Sequence, residues 1–365
     1  MREYFFYFML FMFLLANIYT VIKLSHHLPF IKRSWVGKIL LLLMGFLYII
    51  TRVYLNNCGR NIFVDFLSFI GGLYLGFLNY MFFTFILIDT YYLIKKIFKI
   101  KNKIKDKTVY RIGIAFTVIV VFLSFLNTLI PTVTKYNIKT TKEINKNLKI
   151  VAISDIHLAN TSISSYLNGV VNKINKMNPD IIIIAGDIID IDANQINQEK
   201  YREILKRLKS VKGVYAVTGN HEYYGNLERN KKFIESCNIK LLSDETINVE
   251  DIIIAGREDK HNWYRKGLKE ILKNEDKSKF ILLMEHNPSK LEESIRNGID
   301  LQISGHTHNG QFFPWNIPTD YMYENSKGIL RKGKSTIIVS SGICGWGPMI
   351  RNFSRPEILE INIEK

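Results

Sequence analysis

Hydrophobic runs of two lengths divide this chain into two parts. Four long runs lie in the first third, near residues 4–22, 36–55, 66–94 and 112–130. Each can cross the roughly 30 Å hydrocarbon core of a bilayer as a helix of about 20 residues. The runs are almost unbroken and rich in Phe, Leu and Ile, which favours membrane helices over the buried helices of a soluble core. The pattern predicts a four-helix transmembrane region over residues 1–134.

The first run also resembles a secretory signal, so the two alternatives were compared. Its only basic flank is Arg2, and the sequence Thr20-Val21-Ile22-Lys23 that follows the run offers no small-residue cleavage site. We therefore interpret it as a retained membrane helix, with a cleaved signal as the alternative.

Short apolar segments characterise the second part of the chain. A polar stretch at residues 135–146 is interpreted as a linker, and residues 147–365 then alternate between strand and helix patterns. Strands are predicted at Leu148–Ser154, Ile181–Ala185, Val214–Thr218, Asp251–Ala255, Phe280–Met284, Leu301–Ser304, Thr336–Ser340 and Ile358–Ile363. Helices are predicted at Ser162–Met177, Gln195–Leu208, Leu227–Cys237, Arg265–Leu272 and Ser289–Asn297. This alternation predicts an α/β domain in which helices cover the sheets.

The basic excess of the chain belongs to its first part. The net charge is +16, yet residues 1–146 carry 19 lysines and arginines against five acidic residues, and the remainder carries 30 against 28. A nearly neutral second part does not favour a nucleic-acid partner. The excess is instead typical of a membrane topology signal.

The distribution of basic residues between the runs predicts the orientation of the chain. Eight lie between the third and fourth runs (Lys95, Lys96, Lys99, Lys101, Lys103, Lys105, Lys107 and Arg111), and four lie between the first and second (Lys23, Lys32, Arg33 and Lys38). The loop between the second and third runs has only Arg60, with Arg52 just before it. Basic loops face the cytoplasm, so residues after 130 are predicted to be extracytoplasmic in a multi-pass protein of the cell membrane. Lys135, Lys139, Lys142 and Lys146 oppose this orientation, but large domains translocate largely regardless of charge. Asp89, near the end of the third run, is expected at the membrane interface beside Lys95 and Lys96.

Five short motifs in the second part supply candidate metal ligands, and each follows a predicted strand. They are Asp155-Ile156-His157, Gly186-Asp187-Ile188-Ile189-Asp190, Gly219-Asn220-His221-Glu222, His286 and Gly305-His306-Thr307-His308. These motifs hold five of the eight histidines of the chain. Open α/β sheets place their sites at the carboxyl ends of strands, so we expect these side chains to meet there.

The residue types indicate a site for two adjacent metal ions. Two cations repel each other and need an anionic ligand between them, for which Asp187 is the candidate. The other candidate ligands divide into Asp155, His157 and His308 for one metal and Asn220, His286 and His306 for the other. Carboxylate, amide and imidazole ligands suit Mn, Fe or Zn. Such a pair of metals activates water for attack on phosphorus, which predicts phosphoester hydrolysis.

His221 is predicted to act as a catalytic residue rather than a ligand. It follows Asn220 directly and therefore reaches the same site, where it can protonate the leaving oxygen. Asp190 can hold the second ring nitrogen of His221. Glu222 is expected to fix the loop.

These motifs, in this order, resemble the calcineurin-like metallophosphoesterases over about residues 147–365. The resemblance implies a four-layer α/β/β/α sandwich with a dinuclear metal site at the strand ends. It implies that Asp155, His157, Asp187 and His308 hold one metal and that Asp187, Asn220, His286 and His306 hold the other. It also implies that His221, paired with Asp190, donates the proton.

The complete layout is similar to a membrane-anchored bacterial branch of that family. Ser341-Gly342-Ile343-Cys344-Gly345-Trp346-Gly347 and Arg355-Pro356-Glu357 fit this branch. The resemblance implies hydrolysis of a phosphoester, phosphodiester or pyrophosphate bond. It allows a lipid-linked or cell-envelope substrate, since members are usually described as phosphoesterases of uncertain substrate and sometimes as pyrophosphatases that act on nucleoside-diphosphate-linked diacylglucosamine.

Two further sequence features bear on the surroundings of the site. The segment Gln311-Phe312-Phe313-Pro314-Trp315 follows the last motif, and with Tyr321, Tyr323 and Trp346 it lines an apolar groove or belongs to the core. His261 is expected on the surface.

Two other functions compete with phosphoester hydrolysis. A transporter or receptor with the second part as a sensor predicts several polar residues within the membrane helices, and few are present. A nuclease predicts a basic soluble domain, whereas this one is nearly neutral.

Overall fold

The structure is a computed structural model that describes residues 2–58, 61–100 and 104–365. Arg60, Lys101 and Lys103, which enter the predicted charge pattern of the loops, lie outside these ranges. The chain forms two compact units. The first comprises Met1–Leu126 with Gly347–Ile350, and the second comprises Asn127–Trp346 with Arg351–Lys365.

The first unit is helical, and its helices match the four predicted runs. They are α1 (Arg2–His27), the short α2 (Pro29–Lys32), α3 (Trp35–Cys58), α4 (Ile62–Ile97) and α5 (Asp106–Thr128). In the described ranges, α1, α3, α4 and α5 are long and apolar enough to cross a membrane. Because α4 has 36 residues, it is about 54 Å long and exceeds the thickness of the hydrocarbon core.

Asp89 forms a polar cluster that the sequence did not indicate. Its carboxylate accepts hydrogen bonds from Lys23 Nζ at 2.6 Å, Tyr19 Oη at 2.7 Å and Tyr110 Oη at 2.6 Å. These partners lie on α1 and α5, whereas Asp89 lies on α4. Lys23, a cation on another helix, therefore neutralises Asp89, and the position of Asp89 at the membrane interface stays a prediction.

The second unit contains two six-stranded sheets. The first sheet has the order β1-β12-β2-β3-β4-β5 and consists of β1 (Thr132–Lys139), β2 (Leu148–Ile153), β3 (Ile181–Ala185), β4 (Val214–Val217), β5 (Lys240–Leu241) and β12 (Glu357–Glu364). The second has the order β10-β11-β9-β8-β7-β6 and consists of β6 (Glu245–Val249), β7 (Ile252–Gly256), β8 (Phe280–Met284), β9 (Leu301–Ser304), β10 (Gly328–Lys332) and β11 (Ser335–Val339). All eight predicted strands are present within about two residues of their predicted ends.

The strand β3 shows why both faces of a sheet are buried. Successive side chains of a strand point to opposite faces. Ile181 and Ile183 accordingly pack in the core between the two sheets, while Ile182 and Ile184 pack under the helices of the first sheet. Because both faces are buried, the strand requires an apolar residue at every position, and the continuous isoleucine run meets this requirement.

Helices cover the outer faces of both sheets. The helices of the second unit are α6 (Ser164–Lys176), α7 (Gln198–Leu205), α8 (Leu227–Ser236), α9 (Leu268–Ile271), α10 (Leu291–Asn297) and α11 (Asn316–Met322). Residues of α6, α7 and α8 share a core with the first sheet, and Leu268 and Ile271 of α9 share one with Ile253 and Ile281 of the second. The predicted α/β/β/α sandwich is confirmed.

The expected linker at residues 135–146 is corrected by the structure. Residues 132–139 form β1, which pairs in parallel along its whole length with β12 near the end of the chain. Ile138 and Ile144 are buried in the core between the sheets. The partner of β1 lies more than 200 residues away, so the surrounding polar composition concealed the strand.

Candidate metal centre

The parallel strands bring the five motifs to one edge of the sandwich. In the first sheet β2, β3 and β4 are parallel neighbours, and in the second β8 and β9 are. Loops after adjacent strands are joined by backbone hydrogen bonds, from Asp155 N to Gly186 O at 3.0 Å and from His157 N to Asp187 O at 2.9 Å. The motif side chains are therefore placed by the sheets themselves.

The first group of candidate ligands is Asp155, His157 and His308. The Nε2 atoms of His157 and His308 lie 3.0 Å apart, and His308 Nε2 lies 3.3 Å from Asp155 Oδ1. His157 Nε2 lies 3.8 Å from the same carboxylate oxygen. All three side chains are buried. Two imidazole nitrogens and one carboxylate oxygen thus converge on a single point.

The second group is Asp187, Asn220, His286 and His306. His286 Nε2 lies 3.0 Å from Asp187 Oδ2 and 3.2 Å from Asn220 Oδ1. One ligand atom each of Asp187, His286 and His306 lie within 4.8 Å of one another. His286 Nδ1 donates to Ala185 O at 2.8 Å, which orients the ring so that Nε2 faces the group.

Asp187 belongs to both groups. Its Oδ2 lies 3.0 Å from His286 Nε2 in the second group and 3.7 Å from His157 Nε2 in the first. Its other oxygen accepts a hydrogen bond from His221 N at 2.8 Å, which fixes the plane of the carboxylate. This is the position that a bridging ligand requires.

Two glycines allow this close approach. A Cβ atom on Gly219 would collide with the Asp187 carboxylate, and one on Gly186 would lie 2.6 Å from His286 Nδ1. Gly186 also has φ +85°, a conformation that other residues rarely adopt.

The backbone at the candidate ligands is strained. Positive φ angles, between 45° and 72°, occur at Asp155, His157, Asp187, His306 and His308. Residues other than glycine adopt this region at an energetic cost, and such residues cluster at functional sites. The fold therefore maintains an unfavourable backbone in order to aim these side chains.

The electrostatics of the site couple its acids to its histidines. Burial acts to raise the pKa of Asp187, but the charge of His286 and their hydrogen bond hold it well below its usual value. Burial acts to lower the pKa of His286, but Asp187 raises it to about 10. In the first group, burial and the hydrogen bonds to Asp155 and Asp190 act oppositely on His157, and its pKa rises to about 10.

The pKa values of the other two candidate histidine ligands are lowered. Burial and the charge of His286 lower the pKa of His306 to about 4. Burial, opposed by Asp155, lowers the pKa of His308 to about 3. Both rings therefore keep a free lone pair at neutral pH. Imidazoles, carboxylates and an amide oxygen form a set that fits Mn, Fe or Zn.

His221 lies beside the two groups and is more exposed than His157. Its side chain is 15% exposed, whereas that of His157 is 1% exposed. His221 Nδ1 lies 2.6 Å from Asp190 O and 3.1 Å from Asp190 Oδ1. The same carboxylate oxygen lies 3.3 Å from His157 Nδ1, a second contact that the sequence did not predict. Asp190 therefore orients both rings.

Glu222 joins two of the loops that carry ligands. Its buried carboxylate accepts hydrogen bonds from Gly219 N at 2.7 Å, Ile189 N at 2.8 Å and Asp187 N at 3.2 Å. Burial and the neighbouring Asp187 raise the pKa of Glu222 to about 7. The geometry agrees with the predicted role of Glu222 in fixing the loop.

Arg351 is a supporting residue that the motifs did not reveal. Its fully buried guanidinium donates to the backbone carbonyls of His308 at 3.3 Å, Gly342 at 3.1 Å and Cys344 at 2.9 Å. It therefore supports the turn that carries His308. Arg351 lies just after the glycine-rich segment noted in the sequence, which was the available signal.

His261 is closer to the site than expected. Its Nδ1 lies 2.6 Å from the buried carboxylate of Asp259, and its ring centroid lies 5.6 Å from that of Tyr224. The Tyr224 ring in turn lies 4.8 Å from His221. The side chain of His261 is 22% exposed, which agrees with its expected position on the surface.

Known proteins are similar to this chain. The calcineurin-like phosphoesterase family matches residues 148–310. An uncharacterized metallophosphoesterase of Aquifex aeolicus is 32% identical over 251 residues, which cover 66% of this chain and 95% of that protein. An uncharacterized metallophosphoesterase of Helicobacter pylori is 30% identical over 60% of this chain and 61% of its own length. The chain thus spans about three fifths of the length of that relative.

Two further proteins are similar to this chain. A Danio rerio protein described as a transmembrane protein with metallophosphoesterase domain is 31% identical over 60% of this chain and 53% of its own length. The NAD nucleotidase structure from Haemophilus influenzae is 17% identical with a TM-score of 0.37, covering 54% of this chain and 45% of that one.

The chain therefore belongs to the calcineurin-like metallophosphoesterases, and the resemblance carried by its motifs is confirmed. The family typically binds divalent metals, and the described residues include candidate ligand clusters for them. The four apolar helices, together with relatives described as transmembrane proteins, indicate a membrane protein.

Proposed function

We propose that this protein is a membrane-anchored phosphoesterase with a dinuclear metal site. The observation that carries the proposal is the position of Asp187, whose Oδ2 lies within 4 Å of histidine nitrogens from both ligand groups. Asp155, His157 and His308 would complete one metal site, and Asn220, His286 and His306 the other. When bound, two adjacent divalent metals polarise the phosphoester and lower the pKa of water, so that it can attack phosphorus near neutral pH.

The residues of the chain perform the remaining tasks. His221 would donate a proton from Nε2 to the leaving oxygen while its Nδ1–H stays bonded to Asp190, whose carboxylate stabilises the ring when both nitrogens carry a proton. Its partial exposure allows contact with substrate. Glu222 keeps the loops after β3 and β4 in register, so that Asp187 and Asn220 stay aimed at the site.

The activity is testable with the purified full chain in detergent. After removal of metals by chelation, Mn²⁺, Zn²⁺ or Fe²⁺ should restore hydrolysis of bis(p-nitrophenyl) phosphate or p-nitrophenyl phosphate. Asp187→Asn should be inactive, and Asp276→Asn, at a fully exposed position, should match the unchanged protein. Absence of hydrolysis of both esters with every metal would contradict the proposal. A lipid-linked or cell-envelope phosphoester remains our proposal for the natural substrate.

We also propose a transmembrane region, a catalytic domain at residues 147–365 and an extracytoplasmic position for that domain. The basic loop between α4 and α5 supports this orientation through the positive-inside rule. Protease added to intact spheroplasts should then degrade the catalytic domain. Lysed spheroplasts are the control, and a domain that is protected until lysis would show the opposite orientation.

A further inference from the structure

An exposed aromatic segment extends from the candidate metal centre. We call residues 311–323 the strap; it contains α11. Five of its thirteen residues are aromatic, and Asp320 is its only charged residue. Tyr321 is 93% exposed, Met322 72% and Ile317 59%, and α11 buries none of its residues. The alternative in which this segment belongs to the core is therefore wrong. Contiguous exposed apolar surface of this kind marks an interaction site.

One end of the strap adjoins the candidate ligands. Gln311 is the third residue after His308, and its backbone N donates to His308 O at 3.0 Å. At the other end, the ring of Tyr323 lies 5.9 Å from the ring of His306. Whatever covers the strap therefore lies beside the site.

The strap also contacts residues 351–354. Phe313 N donates to Asn352 Oδ1 at 2.9 Å, and the rings of Phe313 and Phe353 lie 5.7 Å apart. Phe353 is itself 76% exposed. The exposed aromatic surface therefore continues from the strap into this neighbouring segment.

Residues 351–354 are attached in turn to the end of a membrane helix. Asn127 lies in the last turn of α5, one residue before the helix ends at Thr128. Its Nδ2 donates to Arg351 O at 2.9 Å and to Ser354 O at 3.1 Å. α5 is long and apolar enough to span a membrane, and the end of a spanning helix lies near the lipid headgroups. Consecutive contacts connect the strap, through residues 351–354, to Asn127.

We propose that the strap and Phe353 lie in the lipid–water interface of the bilayer. Tryptophan and tyrosine favour this interface because an apolar ring and a polar group are both accommodated there. The near absence of charge in the strap fits the same environment. The lipid surface would then border the candidate metal centre.

Tryptophan fluorescence in nanodiscs tests this position. The chain has four tryptophans, Trp35, Trp263, Trp315 and Trp346. Replacement of three by phenylalanine leaves either Trp315 in the strap or Trp263, which is 91% exposed on another loop and serves as the matched control. In phosphatidylcholine with brominated acyl chains, Trp315 should be quenched strongly and Trp263 should not. Acrylamide in the water should quench Trp263 more than Trp315.

Two outcomes would overturn the proposal. Equal quenching of Trp315 and Trp263 by acrylamide, without quenching by brominated lipid, would place the strap in water. Protection of Trp315 from both quenchers would show that protein covers the strap, for example a second copy of the chain. Neither quenching measurement depends on hydrolysis. Failure of the proposed strap position is therefore distinguishable from failure of the proposed function.

A second pair of variants avoids the tryptophan replacements. Tyr321→Cys and Tyr264→Cys, in a Cys58→Ser background, carry nitroxide labels at two positions that are 93% and 95% exposed. Collisions with oxygen should dominate at position 321 and collisions with a water-soluble nickel chelate at position 264. A nickel-dominated signal at both positions contradicts the proposal.

Discussion

The Nε2 atoms of His157 and His308 lie 3.0 Å apart, although the two residues are 151 positions apart in the sequence. Asp155 Oδ1 lies 3.3 Å from the second of these nitrogens. Buried imidazoles that converge with a carboxylate are typical of ligands to a metal ion. This pair therefore belongs to one candidate metal position, whereas Asp187 belongs to both.

Metal content should distinguish these two kinds of ligand. His308→Ala removes a ligand of the first group only, so the protein should lose the metal at that position and retain part of the other. Asp187→Asn removes the carboxylate that touches both groups, so both metals and the activity should fall together. Elemental analysis of the purified proteins measures the content. His261→Ala, outside both groups, should keep its metals; equal losses in all three variants would contradict the assignment.

His221→Ala should separate proton transfer from metal binding. The variant keeps all seven candidate ligands, so metal content should be unchanged. Hydrolysis of an alkyl ester should slow about 10²–10⁴-fold, because the leaving alkoxide needs a proton. A nitrophenyl leaving group is already a stable anion, so its loss should be smaller. Equal slowing of both esters, or loss of the metals, would show that His221 has another role.

Glu222→Ala should weaken the loops without removing a ligand. Three buried amides, those of Asp187, Ile189 and Gly219, would lose their acceptor, which should cost about 2–5 kcal/mol of the free energy of unfolding. Metal affinity should fall about 10–100-fold, since the aim of Asp187 depends on these bonds. Denaturant unfolding and metal titration measure both effects. Glu228→Ala, at an exposed position of α8, is the control and should change neither.

Cys237 should resist thiol reagents until strongly alkaline pH. Its side chain is 1% exposed, and burial raises the pKa of the thiol from 9.0 to about 11. The thiolate is the reactive form, so labelling by Ellman's reagent at pH 8 should require unfolding. Because the pKa of this thiol is higher in the folded than in the unfolded protein, the neutral thiol contributes fully to the free energy of unfolding below pH 9. This contribution is lost as the pH rises toward 11.

The Cys237→Ala variant provides the comparison for that measurement. Its unfolding free energy should decrease less between pH 9 and 11 than that of the unchanged protein, because no thiol titrates at this position. Rapid labelling of native Cys237 at pH 8, or identical pH dependence of the two proteins, would contradict the expected burial effect.

The sequence alone was sufficient wherever a signal is local. The four membrane helices follow from long apolar runs, and the strands that carry the motifs follow from short ones. The assembly of Asp155, Asp187 and His286 at one edge could also be predicted, because parallel strands end on the same side of a sheet.

Features that depend on contacts between distant residues emerged only in the folded protein. The pairing of β1 with β12, the ion pair of Asp89 with Lys23 and the support of His308 by Arg351 all join residues far apart in the chain. Local composition does not indicate such partners. The exposure of the strap is of the same kind, since an aromatic sequence suits either a core or a lipid surface. Only the packing around residues 311–323 determines which of the two it meets.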